Sequence, residues 1–273
     1  MVLSVALLTC LDTILKILAS RHDPVFLAWG RNVAQVVYIG LLIPWVGPGR
    51  MLRVARPWVH AARGACLLGT TVLIVLSLQR LPMAQTYAVT FSTPLLATGL
   101  AILCLGETVS LRRLFLIAAG FVGVLVALNP GAVPDGTTLL FPLGMAACNA
   151  VFHVLTRFGG RDESPYALLF YVALVAMLLA TPVLPFVAGP MASADVALLA
   201  CGGALGTAAH LCMIGAFRLA PTAIVSPMVY SQVIVAGLLG FLLFGETPTA
   251  STVAGAAIVA ASGILLLRSK EPG

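Results

Sequence analysis

Two stretches of this 273-residue chain repeat one another at a single fixed spacing. Pro82, Ala84, Ser92, Leu103 and Gly106-Glu107-Thr108 recur as Pro221, Ala223, Ser231, Leu242 and Gly245-Glu246-Thr247, each pair 139 residues apart. An offset of about half the chain makes the half-molecule the repeating unit. The fold is therefore expected to consist of two similar halves, residues 1–131 and 132–273.

Composition decides the solvent of those halves. Hydrophobic residues make up 60% of the chain and Asp, Glu, Lys and Arg only 9%, against roughly 25% charged residues in a soluble domain. The mean hydropathy is +1.08. Such a chain belongs in a bilayer, where helices satisfy their own backbone groups. Apolar runs of about 17–25 residues are long enough to cross the hydrocarbon, and ten are found. They are 2–19, 25–45, 61–78, 85–105, 114–128, 137–155, 166–187, 196–217, 222–244 and 250–267. Gly47-Pro48-Gly49, Asn129-Pro130-Gly131, Pro134-Asp135-Gly136 and Gly189-Pro190 supply turn chemistry between runs. The first run has no basic segment before it and contains Asp12 and Lys16, so it reads as a span and not as a cleaved signal peptide. It starts at Met1 itself, which leaves open whether the natural chain begins upstream.

With a cytoplasmic N-terminus, Arg50, Arg53, Arg56, Arg63, Arg112, Arg113, Arg157, Arg161, Arg218, Arg268 and Lys270 lie inside and Arg21 and Arg80 outside. Eleven cations against two is the bias of cytoplasmic loops, and it puts both termini inside. The net charge of +6 is then topological and does not point to nucleic acid. Five spans per half is an odd number, so the second half enters from the opposite side. The expected fold is all-α and integral to the membrane: ten transmembrane helices as two inverted five-helix repeats around a central cavity.

The absences bound the chemistry. Cys10, Cys66, Cys104, Cys148, Cys201 and Cys212 are scattered singly with no CxxC, which favours packing over metal or redox work. No G-x-x-x-x-G-K-[ST], H-E-x-x-H or G-x-S-x-G occurs, so neither an ATP-driven pump nor a hydrolase is expected in this chain, nor any cofactor or metal.

The Leu81-Pro82-Met83-Ala84 start of span four, Pro94 within it, the Gly-Glu ends at Glu107 and Glu246, and the five-plus-five arrangement resemble the drug/metabolite transporter superfamily, in particular its EamA-like carriers. The resemblance covers nearly the whole chain. It implies a carrier of small organic solutes in the inner (plasma) membrane, acting as monomer or homodimer, with a lysine late in span one and an arginine early in span two, matched by Lys16 and Arg31. One departure is Pro227, six residues before Val233, the counterpart of Pro94. Residues 227–232 followed by 244–248 look most like the branch that includes S-adenosylmethionine and riboflavin carriers.

Individual residues then suggest where a solute sits. A charge at mid-membrane costs about 2.5–3.5 kcal/mol on insertion scales and marks a functional candidate. Asp12 and Lys16 share a helix face at i, i+4 and are expected to pair, either as a structural ion pair or as a coupling switch. Arg31 either faces the solute or snorkels to the interface. His153 and His210 lie in apolar runs, with Asn149 one turn before His153 as its expected hydrogen-bond partner. Aromatic and amide groups cluster in the repeated spans, Gln85, Tyr87, Phe91 and Thr93 in span four and Tyr230, Ser231 and Gln232 in span nine, with Phe91 equivalent to Tyr230 and Thr93 to Gln232. Repeat-related aromatic and amide groups suit a midplane site for a flat or zwitterionic solute, or else merely fill space. The expected contacts are Lys16, Arg31, Tyr87, Phe91, Asn149, His153, His210, Tyr230 and Gln232, with Asp12, Glu107 and Glu246 as coupling or gate groups. Both glutamates close helices at ends that the macrodipole makes unfavourable for an acid, which suits an anchor or a gate better than a cap. Small residues in spans five and ten, including Gly120, Gly123 and Gly255, serve close packing within the bundle or a dimer face. A channel or a membrane enzyme is the alternative; a ring of like charges or an acid–base set would favour one of these, and the sequence offers neither.

Overall fold

The computed structural model describes residues 1–52, 54–93, 95–97, 99–100, 111–129, 136–159, 164–219, 228–229 and 231–268. Among the described residues all regular structure is helical. The principal helices are α1 (Val2–Leu18), α2 (Pro24–Gly40), α3 (Pro57–Arg80), α4 (Met83–Thr90), α5 (Leu111–Leu128), α6 (Leu140–Gly159), α7 (Pro165–Ala180), α8 (Ser193–Leu219), α9 (Ser231–Phe244) and α10 (Ala250–Arg268). Pro57–Arg80, Thr137–Thr156, Pro165–Val187 and Ser193–Ala216 are long and apolar enough to cross a bilayer, and Leu114–Ala127, Ser231–Phe244 and Ala250–Leu265 are shorter apolar helices.

Corresponding helices begin with the same chemistry in the two halves. The Asp23 carboxylate accepts from the Val25 N–H ahead of Pro24, and the Ser164 hydroxyl accepts from the Tyr166 N–H ahead of Pro165. In both, the cap satisfies one orphan donor, while proline at the first position has no N–H to leave unpaired.

Helix pairing repeats as well. α1 packs on α8 as α6 packs on α3; α3 packs on α7 as α8 packs on α2; α4 packs on α6 as α9 packs on α1. α2 with α7, α4 with α9 and α5 with α10 also pack, each pair being its own counterpart. These nine pairings map onto one another when each helix is exchanged with the one five places along, whereas α2 on α3, α4 on α5 and α4 on α10 have no counterpart of similar extent among the described residues. Glycines make the close approaches. A Cβ on Gly64 would lie 2.5 Å from Val175 Cβ, jamming α3 on α7, and one on Gly203, its counterpart 139 residues later, would lie 2.4 Å from Ala34 Cβ, jamming α8 on α2. On α10, a Cβ at Gly255 would lie 2.3 Å from the Ala127 nitrogen and 2.5 Å from the Gly123 carbonyl oxygen. Backbone here touches backbone, so these glycines pack within the chain. Gly255→Leu is expected to force α5 and α10 apart and lower stability by about 1–3 kcal/mol, read as a lower melting temperature in detergent; an unchanged value would contradict this contact.

The faces sort by solvent. On α9, Gln232, Ala236 and Gly240, four residues apart, are buried, while Ile234, Leu238, Phe241, Leu242 and Leu243 are exposed apolar side chains of the kind that faces lipid. The main core joins Leu11, Leu15, Leu27, Val75, Leu78, Met83, Tyr87 and Met145 from α1, α2, α3, α4 and α6.

The expected span four is not one continuous helix. α4 stops at Thr90, Phe91 and Ser92 form a turn, and helix resumes at Thr93. Thr90 Oγ1 bonds the Thr86 carbonyl at 3.1 Å and Ser92 Oγ the Val89 carbonyl at 2.7 Å, drawing the ladder off course. Pro94 also has no N–H to give the Thr90 carbonyl. Ser231, the counterpart of Ser92, makes the same bond to the Met228 carbonyl at 2.7 Å where α9 begins. Spans two and seven likewise end in separate short helices, Ile43–Val46 and Leu184–Val187, each carrying a proline in its first turn.

Candidate functional site

The polar face of α1 carries Thr9, Asp12, Thr13 and Lys16. The two threonine hydroxyls are satisfied on their own helix by the Val5 and Thr9 carbonyls, at 2.8 and 2.7 Å, and the two charges reach outward. Asp12 accepts a hydrogen bond from the hydroxyl of Tyr87 on α4, and Thr9 and Gln232 flank that same hydroxyl. Arg31 on α2 is the cation facing Asp12, and its Nη1 donates to Thr71 Oγ1 on α3 at 2.7 Å. Four helices of the first half and one of the second therefore converge on one buried polar cluster of Asp12, Arg31, Thr71, Tyr87 and Gln232.

The polar line continues past Arg31. His210 on α8 lies within electrostatic reach of Arg31 and Arg63. Its Nδ1–H donates to the Gly206 carbonyl at 2.7 Å, which leaves Nε2 as an acceptor. Arg63 on α3 donates through Nε to Thr156 Oγ1 at 2.9 Å and through Nη1 to the Leu168 carbonyl at 3.4 Å, with its guanidinium 4.8 Å from the Phe152 ring centroid. His153, exposed beside Phe152, lies within electrostatic reach of Arg63.

The expected Asp12–Lys16 pair does not form. Lys16 is in the last turn of α1, and its long stem carries the ammonium to the helix end, where it pairs with Glu246 and lies 4.8 Å from the Phe244 ring centroid. The other Glu246 oxygen accepts from the Met83 N–H at 2.8 Å, an orphan donor in the first turn of α4. Gly245 accounts for the Gly-Glu at the end of α9: its φ of +67°, easy only for glycine, turns the chain so that Glu246 doubles back. One carboxylate thus ties together the end of α1, the start of α4 and the end of α9. At the same end of α1, Asp195 on α8 binds Arg21 at 3.0 Å and His22 at 2.8 Å.

Two further expectations are corrected. Asn149 does not bond His153, whose ring meets Phe152 edge-on with centroids 5.8 Å apart. Arg63, counted from the sequence as a cytoplasmic loop cation, is buried; Pro57 starts α3 six residues earlier, placing Arg63 in the second turn of a packed helix. Phe91 is buried among Val89, Val124 and Val259, a packing position. Glu107 and Tyr230 lie outside the described residues.

Several buried polar atoms have no hydrogen-bond partner among the described residues. They are Arg31 Nε, Asn32 Oδ1, both ends of the Gln35 amide, and the hydroxyls of Thr70, Thr86 and Thr93. Each such group costs about 1–3 kcal/mol when left unmet. Sequence reading missed Gln35 and Asn32, although an amide four residues after Arg31 in an apolar run was the available signal.

The EamA-like transporter family model matches residues 1–129 and 136–268. The chain belongs to the EamA-like transporter family. Two matching stretches, one in each half, together with the apolar helices make this EamA-like chain a multi-pass membrane protein of a transporter family, within the drug/metabolite superfamily. It is 25% identical over 260 residues to an S-adenosylmethionine uptake transporter of Rickettsia conorii, covering 95% of this chain and 88% of the relative. A riboflavin transporter of Brucella anthropi is 25% identical over 250 residues, covering 88% and 86%. A crystal structure aligns with a TM-score of 0.66 at 20% identity over 98% of both chains, a likeness of fold. Family and relatives point to transport of small molecules rather than to an enzyme.

Proposed function

We propose that this chain is a secondary transporter that moves a flat or zwitterionic organic metabolite across the inner membrane by alternating access. The observation that carries this reading is the buried cluster of Asp12, Arg31, Tyr87 and Gln232. It sets an anion, a cation, a phenol and an amide at the junction of the two halves. A zwitterion matches such a set, its ammonium on Asp12 and its carboxylate on Arg31. Binding groups drawn from both repeats are what a shared central site requires.

Ten spans in two inverted halves, 1–131 and 132–273, with both termini cytoplasmic, are supported by the exchangeable helix pairing and by the equivalent serine turns at Ser92 and Ser231. In that topology Lys16, Glu246 and the start of α4 lie on the outer side. Their contacts act as an outer gate, closed here, and Glu107 is the corresponding candidate on the inner side. His153 and His210 line the path inward from Arg31.

The relatives supply the first solutes to try. Proteoliposomes containing only this protein should take up labelled S-adenosylmethionine or riboflavin with saturation, and the solute should be recovered unchanged. Uptake proportional to concentration without limit, or recovery of a converted product, would replace the carrier by a channel or an enzyme.

A further inference from the structure

Among the unmet polar groups, Gln35 stands apart because neither end of its amide has a partner, although the residue is only 1% exposed. Its depth can be read from the α2–α8 contact. Gly30 is set against Leu199 and Ala34 against Gly203, so the two helices run in parallel and Gln35 is level with the middle of α8. That places it along the polar line between Arg31 and His210. Arg31, one turn earlier on the same face, keeps a free Nε donor. Asn32 spends its Nδ2 on the Ala28 carbonyl at 2.8 Å and keeps a free Oδ1 acceptor. A stretch of five residues thus holds two donors and two acceptors that the described protein leaves unused, at a depth where lipid and apolar side chains offer none.

We propose that Gln35, assisted by Asn32 and Arg31, is the subsite that reads the edge of a heteroaromatic ring on the transported solute. A carboxamide presents one donor and one acceptor side by side in a plane. Its complement is a ring edge with an adjacent acceptor and N–H, the amidine edge of an aminopurine or the imide edge of a pyrimidinedione. Two hydrogen bonds then form at once, and a ring alkylated at that nitrogen loses the pair. The zwitterionic or polar remainder of the solute lies toward Asp12 and Arg31. This inference rests on the carrier reading and adds to it the ring class and the residue that selects it.

The test compares purified wild-type protein with Gln35→Leu and Gln35→Asn, by thermal unfolding in detergent with four probes: adenosine, N6,N6-dimethyladenosine, riboflavin and 3-methylriboflavin. Wild type should be stabilised by adenosine or riboflavin, with at least a tenfold weaker apparent affinity for the methylated partner. In Gln35→Leu that discrimination should vanish while the melting temperature without solute stays level or rises, because an unmet buried amide has been removed. Gln35→Asn should keep part of the discrimination. A lower melting temperature for Gln35→Leu would assign the amide a structural partner and overturn the proposal, as would equal binding of methylated and unmethylated rings, or discrimination that survives in Gln35→Leu. Should Gln35→Leu fail to fold, Gln35→Met carries the same test. If no ring binds, the subsite is refuted; saturable uptake of a labelled solute by proteoliposomes from the same preparation would still leave the carrier reading standing, and its absence would remove both.

Discussion

Asp12→Asn is expected to cut solute uptake about 10- to 100-fold with little loss of inserted protein. The carboxylate accepts from Tyr87 and faces Arg31, and hydrogen bonds to a charged group are worth about 1.5–3 kcal/mol, or roughly one to two powers of ten in affinity. Asparagine keeps the shape and an acceptor for Tyr87 while removing the charge. Arg31→Met should do the same from the other side, because it removes the cation that meets the solute anion. The double variant should lose less than the product of the two single effects, since groups in one network are coupled. Independent multiplication of the two losses would mean that Asp12 and Arg31 do not act on the same solute.

Glu246→Gln is expected to have the second largest effect and a different character. The glutamate holds the Lys16 ammonium and the Met83 N–H together; the amide keeps an acceptor for the backbone and gives up the ion pair. The outer gate should then stay open for longer. In a variant without its native cysteines, Thr13→Cys, buried one turn below Lys16, should react slowly with an impermeant maleimide added from outside, and severalfold faster once Glu246→Gln is added. Uptake should slow together with this change. Exchanging the charges, Lys16→Glu with Glu246→Lys, should recover part of the protection. Equal labelling with and without Glu246→Gln would make the contact a permanent anchor.

The parts of this molecule that were legible in the sequence are those set by period and composition. The 139-residue offset located Ser92 and Ser231 as equivalents, and both make the same serine-to-carbonyl bond. Hydropathy located the apolar helices. Side-chain reach was not legible. Spacing puts Asp12 and Lys16 on one face, but a lysine in a final helical turn finds its partner across the bundle, 230 residues away. Breaks within apolar runs were also hidden, because Thr90 and Ser92 disturb the helix by local back-bonding that hydropathy does not register. Arg63 was misassigned because a cation near a helix end looks the same in sequence whether it faces water or a neighbouring helix. Gln35 was overlooked because its significance lies in having no partner, which only the packed structure reveals.

The most direct test of the central claim is exchange across a membrane. Proteoliposomes preloaded with unlabelled solute should take up the labelled form faster than empty ones, because a site that alternates between the two faces returns more quickly when occupied. Asp12→Asn should abolish that acceleration. Entry of label at the same rate into preloaded and empty vesicles, with Asp12→Asn indistinguishable from wild type, would contradict both alternating access and the site built around Asp12, Arg31, Tyr87 and Gln232.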